Sequence, residues 1–278
     1  MALLTRLTAF AALFLLSCRP KPVEHPTPIP GRSYGALAPK DVEAGRKLPV
    51  VVVLHAFATR AQTQAGYLDV HRTFVDQSWV VLLPEGKIDA EGRPFWNATD
   101  TCCDAHGTKP DDVAYLDAVL DDALARYPID PRQVFLAGVS NGGFMAQRYA
   151  CDRAERVRGF ASVSGGLWED SARCVPSKSV GALLIHGDAD DIVRYDGGGS
   201  LIGTAARYPP APVAAQFWGT RAGATASTTS RVGAGTDLTA WTGGDTAVEL
   251  WTLRGEGHSI PRSAKLPGRI AEFFDRLR

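Results

Sequence analysis

The segment Gly138-Val139-Ser140-Asn141-Gly142 places a serine in a turn that could make it a nucleophile. An apolar run at residues 134–137 precedes it, and a helix-compatible run at residues 143–150 follows it. A strand-to-helix turn of this kind lifts the serine hydroxyl clear of the sheet, and its glycines leave room for the tight backbone. We therefore predict that Ser140 is the nucleophile of an acyl-transfer reaction. The alternative is a glycine-rich turn that holds an ordinary serine.

Acyl transfer at a serine also requires a base that takes the hydroxyl proton and an acid that orients the base. In enzymes with this type of turn, the acid and then the base follow the serine along the chain. An apolar run at residues 248–253 leads into His258, which we predict to be the base. An earlier run at residues 182–186 leads into three candidate acids, Asp188, Asp190 and Asp191. Spacing alone does not choose among these three aspartates.

The reaction also needs two backbone N–H groups that stabilise the oxyanion. One is expected from Asn141, directly after the nucleophile, and the other from the loop that follows the run at residues 50–55, where we choose Phe57. Trp96 and Phe144 are candidates for the wall of a substrate pocket, although they could equally pack in the core. His55 and His186 end apolar runs and are expected to be packed, hydrogen-bonded structural residues.

No metal or organic cofactor is expected. Cys102 and Cys103 are adjacent, which is not the usual spacing of zinc ligands, and no cluster of histidines accompanies them. With Cys151 and Cys174 they form an even set that is compatible with one or two disulfides. We expect Cys151 and Cys174 to be oxidised, either with each other or with the adjacent pair, since the connectivity cannot be derived from sequence.

The elements that would position these residues alternate between strands and helices. Six apolar runs, most of them continuous, are typical of strands that are covered on both faces: residues 50–55, 80–84, 134–138, 157–164, 182–186 and 248–253. Residues 32–37 could add an edge strand. Amphipathic helices are predicted at residues 111–127 and 263–277, whereas residues 222–244 are expected to be irregular, with room for a short hairpin. The pattern predicts an α/β fold with a mainly parallel central sheet and helices on both faces.

The N-terminal region is predicted to direct export. Residues 1–18 have a short basic start, an apolar stretch and Leu15-Leu16-Ser17-Cys18, which resembles a bacterial lipobox with Cys18 as the lipidated residue. A proline-rich linker is predicted at residues 19–30, and the folded domain at residues 31–278. An ordinary cleaved signal peptide is the alternative. The protein is thus expected to be extracellular or anchored to the outer membrane, and the membrane contact would come from this lipid.

The overall charge gives no indication of nucleic-acid binding. The 278 residues contain 30 Lys and Arg and 30 Asp and Glu, and no basic run is present. We therefore expect no nucleic-acid partner.

Several short motifs point together to one family. They are Leu54-His55-Ala56-Phe57, Pro84-Glu85-Gly86, Phe95-Trp96-Asn97-Ala98 with Cys102-Cys103, Gly138-Val139-Ser140-Asn141-Gly142-Gly143, His186-Gly187-Asp188-Ala189-Asp190 and Gly257-His258. From about residue 32 to its C-terminus the chain resembles the secreted esterases of the poly(3-hydroxybutyrate) depolymerase and feruloyl esterase family. The resemblance implies an α/β-hydrolase fold. It also assigns the acid to Asp190 and agrees with Ser140 as nucleophile and His258 as base.

We therefore expect a serine carboxylesterase that acts on a polyester, a feruloylated or acetylated polysaccharide, or a small ester. Two other functions stay open at this point. A serine peptidase could use the same three residues on the same fold, and a catalytically inactive hydrolase fold could serve as a surface-binding module. Release of p-nitrophenol from a short-chain ester would distinguish the enzyme from the inactive module.

Overall fold

Most strands of the chain belong to one sheet. The computed structural model describes residues 20–261 and 264–278, so the predicted signal peptide and Cys18 lie outside the described residues. In chain order the strands are β1 (Val23–Pro26), β2 (Ser33–Leu37), β3 (Leu48–Leu54), β4 (Val80–Pro84), β5 (Lys87–Ile88), β6 (Pro94–Phe95), β7 (Ile129–Val139), β8 (Gly159–Val163), β9 (Gly181–Gly187), β10 (Gly198–Gly199), β11 (Arg207–Tyr208), β12 (Ala226–Arg231), β13 (Thr236–Thr242) and β14 (Val248–Leu253).

The central part of the sheet is parallel, as predicted. Ten strands lie in the order β1-β2-β4-β3-β7-β8-β9-β14-β13-β12, and the short strands form two separate pairs, β5 with β6 and β10 with β11. The six strands from β4 to β14 in this order pair in parallel, whereas the two strands at each edge pair antiparallel. Every residue of β3, β4, β8 and β9 is buried, which explains why their sequences are continuous apolar runs.

Helices cover both faces of this sheet. They are α1 (Ala61–Tyr67), α2 (Val70–Thr73), α3 (Asp112–Arg126), α4 (Asn141–Asp152), α5 (Ala211–Arg221) and α6 (Leu266–Leu277), with 3₁₀ turns at Val75–Gln77, Ala154–Arg156 and Ser171–Arg173. Alternate residues of β3 divide between two cores: Val52 packs in the core that contains α3, α4 and α5 residues, and Val51 in the core that contains α1, α2 and α6 residues. In the part of the chain that the structure describes, no helix is long and apolar enough to cross a membrane.

The two helices predicted from periodicity are present, with shifted ends. Helix α3 begins at Asp112 because the carboxylate of Asp111 accepts a hydrogen bond from the Ala114 N–H at 2.9 Å, which is a typical N-cap. Helix α6 begins at Leu266, directly after Lys265, which has the left-handed conformation.

Two edge regions differ from the sequence-based expectation. Part of the predicted linker, Val23–Pro26, is the edge strand β1, which pairs with β2 so that Val23 faces Ala36. The prolines of this segment do not prevent pairing because an edge strand leaves half of its N–H groups unpaired. Residues 222–244, predicted to be irregular with room for a short hairpin, form the full hairpin β12–β13, whose outer strand is exposed along its whole length. Its Ser and Thr residues lack the alternating burial that would have indicated a strand.

Candidate active site

Ser140 lies alone between β7 and α4, at the predicted turn. Its φ is +54° and its ψ is −119°, a backbone conformation that is strained for a residue with a side chain. The Ser140 N–H donates to the Val163 carbonyl at 2.7 Å, which fixes the turn against the end of β8. A Cβ atom at Gly138 would overlap the Gly142 carbonyl, and one at Gly142 would overlap the Leu54 carbonyl. Both glycines are therefore required by close backbone contacts.

The loops that carry the other two predicted catalytic residues follow the neighbouring parallel strands β9 and β14. The Ala189 N–H donates to the Glu256 carbonyl at 3.1 Å, and the Asp188 carboxylate accepts from the Gly255 N–H at 2.6 Å. These bonds join the two loops just beyond the carboxyl ends of the strands. This is the edge of a parallel sheet where ligand sites are usually found.

The structure brings Ser140, His258 and Asp190 into one chain of hydrogen bonds. His258 Nδ1 lies 2.8 Å from Asp190 Oδ2, and His258 Nε2 lies 3.0 Å from Ser140 Oγ. A carboxylate only accepts, so Nδ1 carries the proton and Nε2 is left to accept from the serine hydroxyl. The Asp190 side chain is fully buried, whereas 17% of the His258 side chain is exposed. The partly exposed imidazole thus lies between a fully buried acid and a serine that is only 9% exposed.

Asp190 is the aspartate of the three candidates that contacts His258. Its second carboxylate oxygen accepts from the N–H groups of Ile192 and Val193 at 3.0 and 2.9 Å. His186 Nε2 donates to the Val193 carbonyl at 2.7 Å and lies 3.3 Å from Asp190 Oδ2. Burial by itself would raise the pKa of Asp190, but the hydrogen bonds from His186 and His258 outweigh burial and hold this pKa below its usual range. Asp190 is therefore ionised when His258 needs a counter-charge.

The two predicted oxyanion donors come from adjoining pieces of backbone. The N–H of Asn141 belongs to the first residue of α4 and so has no acceptor within the helix. In the described residues, no hydrogen bond from the N–H of Phe57 is found either. Gly142 lies directly against the carbonyls of Leu54 and His55, which brings the start of α4 close to the loop that contains Phe57. Both donors are thus available at this edge of the sheet.

The two predicted pocket residues are not on a pocket wall. Neither the Trp96 nor the Phe144 side chain has any exposed surface. Phe144 points into the core from α4, where its ring meets Tyr208 edge-on with centroids 5.9 Å apart. Trp96 is held by hydrogen bonds at both its backbone and its indole. The structure therefore places both side chains in the interior, because each is enclosed by the elements around the turn.

The cysteines form two disulfides. Cys151, in α4, pairs with Cys174, with a Cα–Cα distance of 5.0 Å, so the prediction that both are oxidised is confirmed. Cys102 pairs with its neighbour Cys103, a connection that spacing did not indicate. The Cys103 N–H donates to the Trp96 carbonyl at 3.2 Å, so the adjacent disulfide is in direct contact with the loop that carries Trp96.

Asp89, Glu91 and His106 form a surface group that has the ligand types of a metal site. Arg93 already pairs with both acids, with N–O distances of 2.8 Å to Asp89 and 2.7 Å to Glu91. His106 Nε2 lies 2.6 Å from the same Glu91 carboxylate. The group is accounted for as a network of ion pairs.

The chain is similar to esterases in sequence. It is 30% identical over 149 residues to the putative esterase NocK of Nocardia uniformis subsp. tsuyamanensis, a match that covers 54% of this chain and 42% of the relative. It is 23% identical over 167 residues to feruloyl esterase B of Piromyces equi, which covers 59% of this chain and 30% of the relative. The chain therefore spans less than half the length of these two relatives. No family model matches it.

The fold is similar to that of a solved esterase. The acetyl xylan esterase from Aspergillus awamori superposes with a TM-score of 0.63 at 15% identity, over 87% of this chain and 94% of that one. Together with the parallel sheet, this shows that the chain has the predicted α/β-hydrolase fold. The resemblance to feruloyl esterases predicted from the motifs is confirmed, whereas the resemblance to poly(3-hydroxybutyrate) depolymerases stays a prediction.

Proposed function

We propose that this protein hydrolyses carboxylic esters through a covalent acyl-Ser140 intermediate. The observation that supports this most strongly is the chain of hydrogen bonds from Asp190 through His258 to the Ser140 hydroxyl, with distances of 2.8 and 3.0 Å. It lies at a strained turn at the carboxyl edge of the sheet, which is the usual place of a nucleophilic serine in this type of turn. The similarity to esterases supports the same chemistry.

In the first half of the reaction, Ser140 Oγ attacks the ester carbonyl carbon while His258 Nε2 takes the hydroxyl proton. The carbonyl oxygen becomes an oxyanion that accepts hydrogen bonds from the N–H groups of Asn141 and Phe57. The tetrahedral intermediate then expels the alcohol, which receives the proton from His258. Asp190 stabilises the imidazolium and holds its Nδ1–H in place, since this carboxylate stays ionised.

In the second half, a water molecule attacks the acyl carbon and His258 accepts its proton. A second oxyanion forms at the same two N–H groups. Collapse releases the carboxylic acid and returns the proton to Ser140 Oγ. The cycle consumes one ester and one water and produces one acid and one alcohol.

For the substrate we favour the acyl groups of plant polysaccharides. Two proteins similar to this chain are named feruloyl esterase B and acetyl xylan esterase. We propose feruloylated or acetylated polysaccharide, or small esters of the same acids, as substrates, with amorphous polyhydroxybutyrate as the rival that the sequence motifs suggest. Initial rates on methyl ferulate, acetylated xylan, p-nitrophenyl butyrate and amorphous polyhydroxybutyrate decide between them.

We propose further that the protein is exported and held at a membrane through lipidated Cys18. The two disulfides support an oxidising compartment. A lipoprotein anchor with several acyl chains gives stable attachment, whereas a single chain binds only marginally. Detergent-phase partitioning of the full-length protein and of Cys18→Ala tests this. Recovery of the unaltered protein wholly in the aqueous phase would show a freely secreted enzyme.

The esterase proposal is tested with Ser140→Ala and a matched control, Ser164→Ala. Ser164 also follows a central strand, has a positive φ of 49° and donates its N–H to the next strand, to Ile185 at 2.8 Å. We expect Ser140→Ala to lose hydrolysis of p-nitrophenyl butyrate and Ser164→Ala to keep it. Ser140→Ala activity within about tenfold of the unaltered protein would contradict the assignment, because loss of a triad member typically costs about 10⁴-fold or more.

The choice of acid is tested in the same assay. Asp190→Asn should lower kcat by roughly 10⁴-fold, because an amide can select the wrong imidazole tautomer. Asp188→Asn is the matched control, since its amide oxygen can still accept from the Gly255 N–H. A larger loss in Asp188→Asn than in Asp190→Asn would refute the assignment.

A further inference from the structure

The Asn141 side chain makes two hydrogen bonds to the backbone of Trp96 that the acyl-transfer chemistry itself does not require. Its Oδ1 accepts from the Trp96 backbone N–H at 2.7 Å, and its Nδ2 donates to the Trp96 carbonyl at 2.9 Å. Both residues are completely buried. The amide thus reproduces the pairing of a neighbouring strand, which only a side chain with one donor and one acceptor in this geometry can do. It locks residue 96 to the first residue of α4.

The Trp96 side chain extends this connection to the other side of the site. Its Nε1–H donates to the His55 carbonyl at 3.0 Å, and its ring packs on the His55 imidazole with centroids 4.9 Å apart. His55 is itself fixed, because its Nε2 accepts from the Gly86 N–H at 2.8 Å and its Nδ1 donates to the Ala56 carbonyl at 2.8 Å. Phe57 follows only two residues later.

We propose that Trp96 is a positioning residue that fixes the spacing between the two oxyanion donors. One donor, the N–H of Asn141, is held through the amide that pairs with the Trp96 backbone. The other, the N–H of Phe57, is held through the indole bond to His55. This inference rests on the proposed esterase function and adds to it the residue that preorganises the oxyanion site.

A positioning role for Trp96 has kinetic consequences that differ from those of an ordinary core tryptophan. Hydrogen-bond donors accelerate the reaction only if they point in advance to the position that the oxyanion will occupy. A displacement of the Phe57 loop relative to α4 weakens binding of the oxyanion while leaving ground-state contacts intact. Loss of the indole hydrogen bond should therefore lower kcat and leave KM nearly unchanged. A substitution that only disturbs core packing should lower the stability without a selective fall in kcat.

The experiment compares Trp96→Phe with Trp218→Phe. Trp218 is also buried, with 1% of its surface exposed, and its Nε1–H donates to Gln147 Oε1 at the same distance of 3.0 Å. Each substitution removes one buried indole hydrogen bond and keeps an aromatic ring. The partner of Trp218 is a side chain inside α4, whereas Trp96 bonds to the His55 carbonyl at the start of the Phe57 loop. Three quantities are measured for both variants. They are the steady-state kinetics on p-nitrophenyl butyrate, the midpoint of thermal unfolding, and the inhibition constant of an alkyl boronic acid. The boronic acid forms a tetrahedral adduct with the serine.

We expect Trp96→Phe to lower kcat by roughly 10- to 100-fold, less than the 10²–10³-fold for complete loss of a donor. Its KM should stay within about twofold, and its affinity for the boronic acid should fall in parallel with kcat. Trp218→Phe should lose stability without this kinetic change. Equal kinetics in the two variants, or a raised KM with unchanged kcat in Trp96→Phe, would overturn the proposal.

A second variant decides the question if Trp96→Phe does not fold. Asn141→Ala keeps the backbone N–H of residue 141 but releases Trp96, so it should show the same fall in kcat. Combined with Trp96→Phe it should lose little more than the larger single effect, since both act through one connection. Parent-like kcat in Asn141→Ala would overturn the proposal. If the unaltered protein neither hydrolyses esters nor binds the boronic acid, the proposed function is refuted and this inference with it.

Discussion

The buried His55 should make the stability of the protein depend strongly on pH between about 6.5 and 4. Burial lowers the pKa of His55 from its usual 6.5 to about 4, only partly opposed by the hydrogen bond to the Ala56 carbonyl, and Arg60 and Arg32 lower it further. The side chain has no exposed surface, so solvent does not weaken this effect. In the folded protein the ring is thus neutral, which agrees with an Nε2 that accepts from the Gly86 N–H.

The sign and size of the effect follow from proton linkage. Between pH 6.5 and 4 the unfolded chain binds a proton at His55 that the folded protein does not, so acidification favours unfolding. The stability that the neutral His55 contributes is fully present above pH 6.5 and is lost as the pH falls. This contribution stops changing below about pH 4. A pKa difference of about 2.5 units corresponds to roughly 3 kcal/mol, since one unit is worth about 1.4 kcal/mol.

The assay is urea unfolding of the unaltered protein and of His55→Gln at pH values from 7 to 4. Glutamine can still accept from the Gly86 N–H but does not titrate. Carboxylates elsewhere titrate in both proteins, so their effect cancels in the difference between the two free energies of unfolding. Glu85 is the exception, because its carboxylate lies 3.6 Å from His55 Nε2, close enough for its titration to be coupled to that of His55. We expect His55→Gln to be the less stable protein at pH 7 and the gap to close by roughly 3 kcal/mol at pH 4. Parallel stability curves would refute the reasoning.

Two further predictions concern the framework of the site. Replacing Cys151 and Cys174 together by alanine should lower the free energy of unfolding by about 3 kcal/mol, because the bridge closes a loop with a sequence separation of 23; a change below about 1 kcal/mol in urea unfolding would contradict this. Gly142→Ala should destabilise the protein by about 1–3 kcal/mol and reduce activity, because its Cβ would overlap the Leu54 carbonyl. Gly268→Ala is the control, because Gly268 lies in α6 and nothing lies within 4 Å of the added atom. It should be neutral or stabilise the protein by up to about 1 kcal/mol. Similar unfolding midpoints for Gly142→Ala and Gly268→Ala would show that the turn tolerates a side chain.

The parts of the site that could be predicted are those with a local signature. Ser140 was identifiable because its strand, glycines and helix are contiguous in sequence. His258 and the group of three candidate aspartates were identifiable because parallel strands bring the loops at their carboxyl ends to one edge, but only the family resemblance selected Asp190 among the three. The central strands could be predicted because strands that are buried on both faces are continuous apolar runs in the sequence.

The parts that could not be predicted depend on contacts between distant segments. The amide of Asn141 meets the backbone of Trp96 across 45 positions of the chain, and nothing in either segment indicates that pairing. Trp96 was therefore interpreted by its residue type alone, as a candidate pocket aromatic. The same limit applies to β1 and to the hairpin β12–β13, whose edge positions remove the burial pattern that identifies a strand.

The covalent role of Ser140 can be measured most directly by labelling with an alkyl fluorophosphonate, which reacts with an activated serine hydroxyl. Intact mass and peptide mapping of the labelled protein locate the adduct. We predict a single adduct on Ser140, and a rate of labelling that falls by at least about 10³-fold in His258→Ala, since the base is then absent. An ester-hydrolysing protein that carries the label on another serine, or that labels equally fast without His258, would contradict the account.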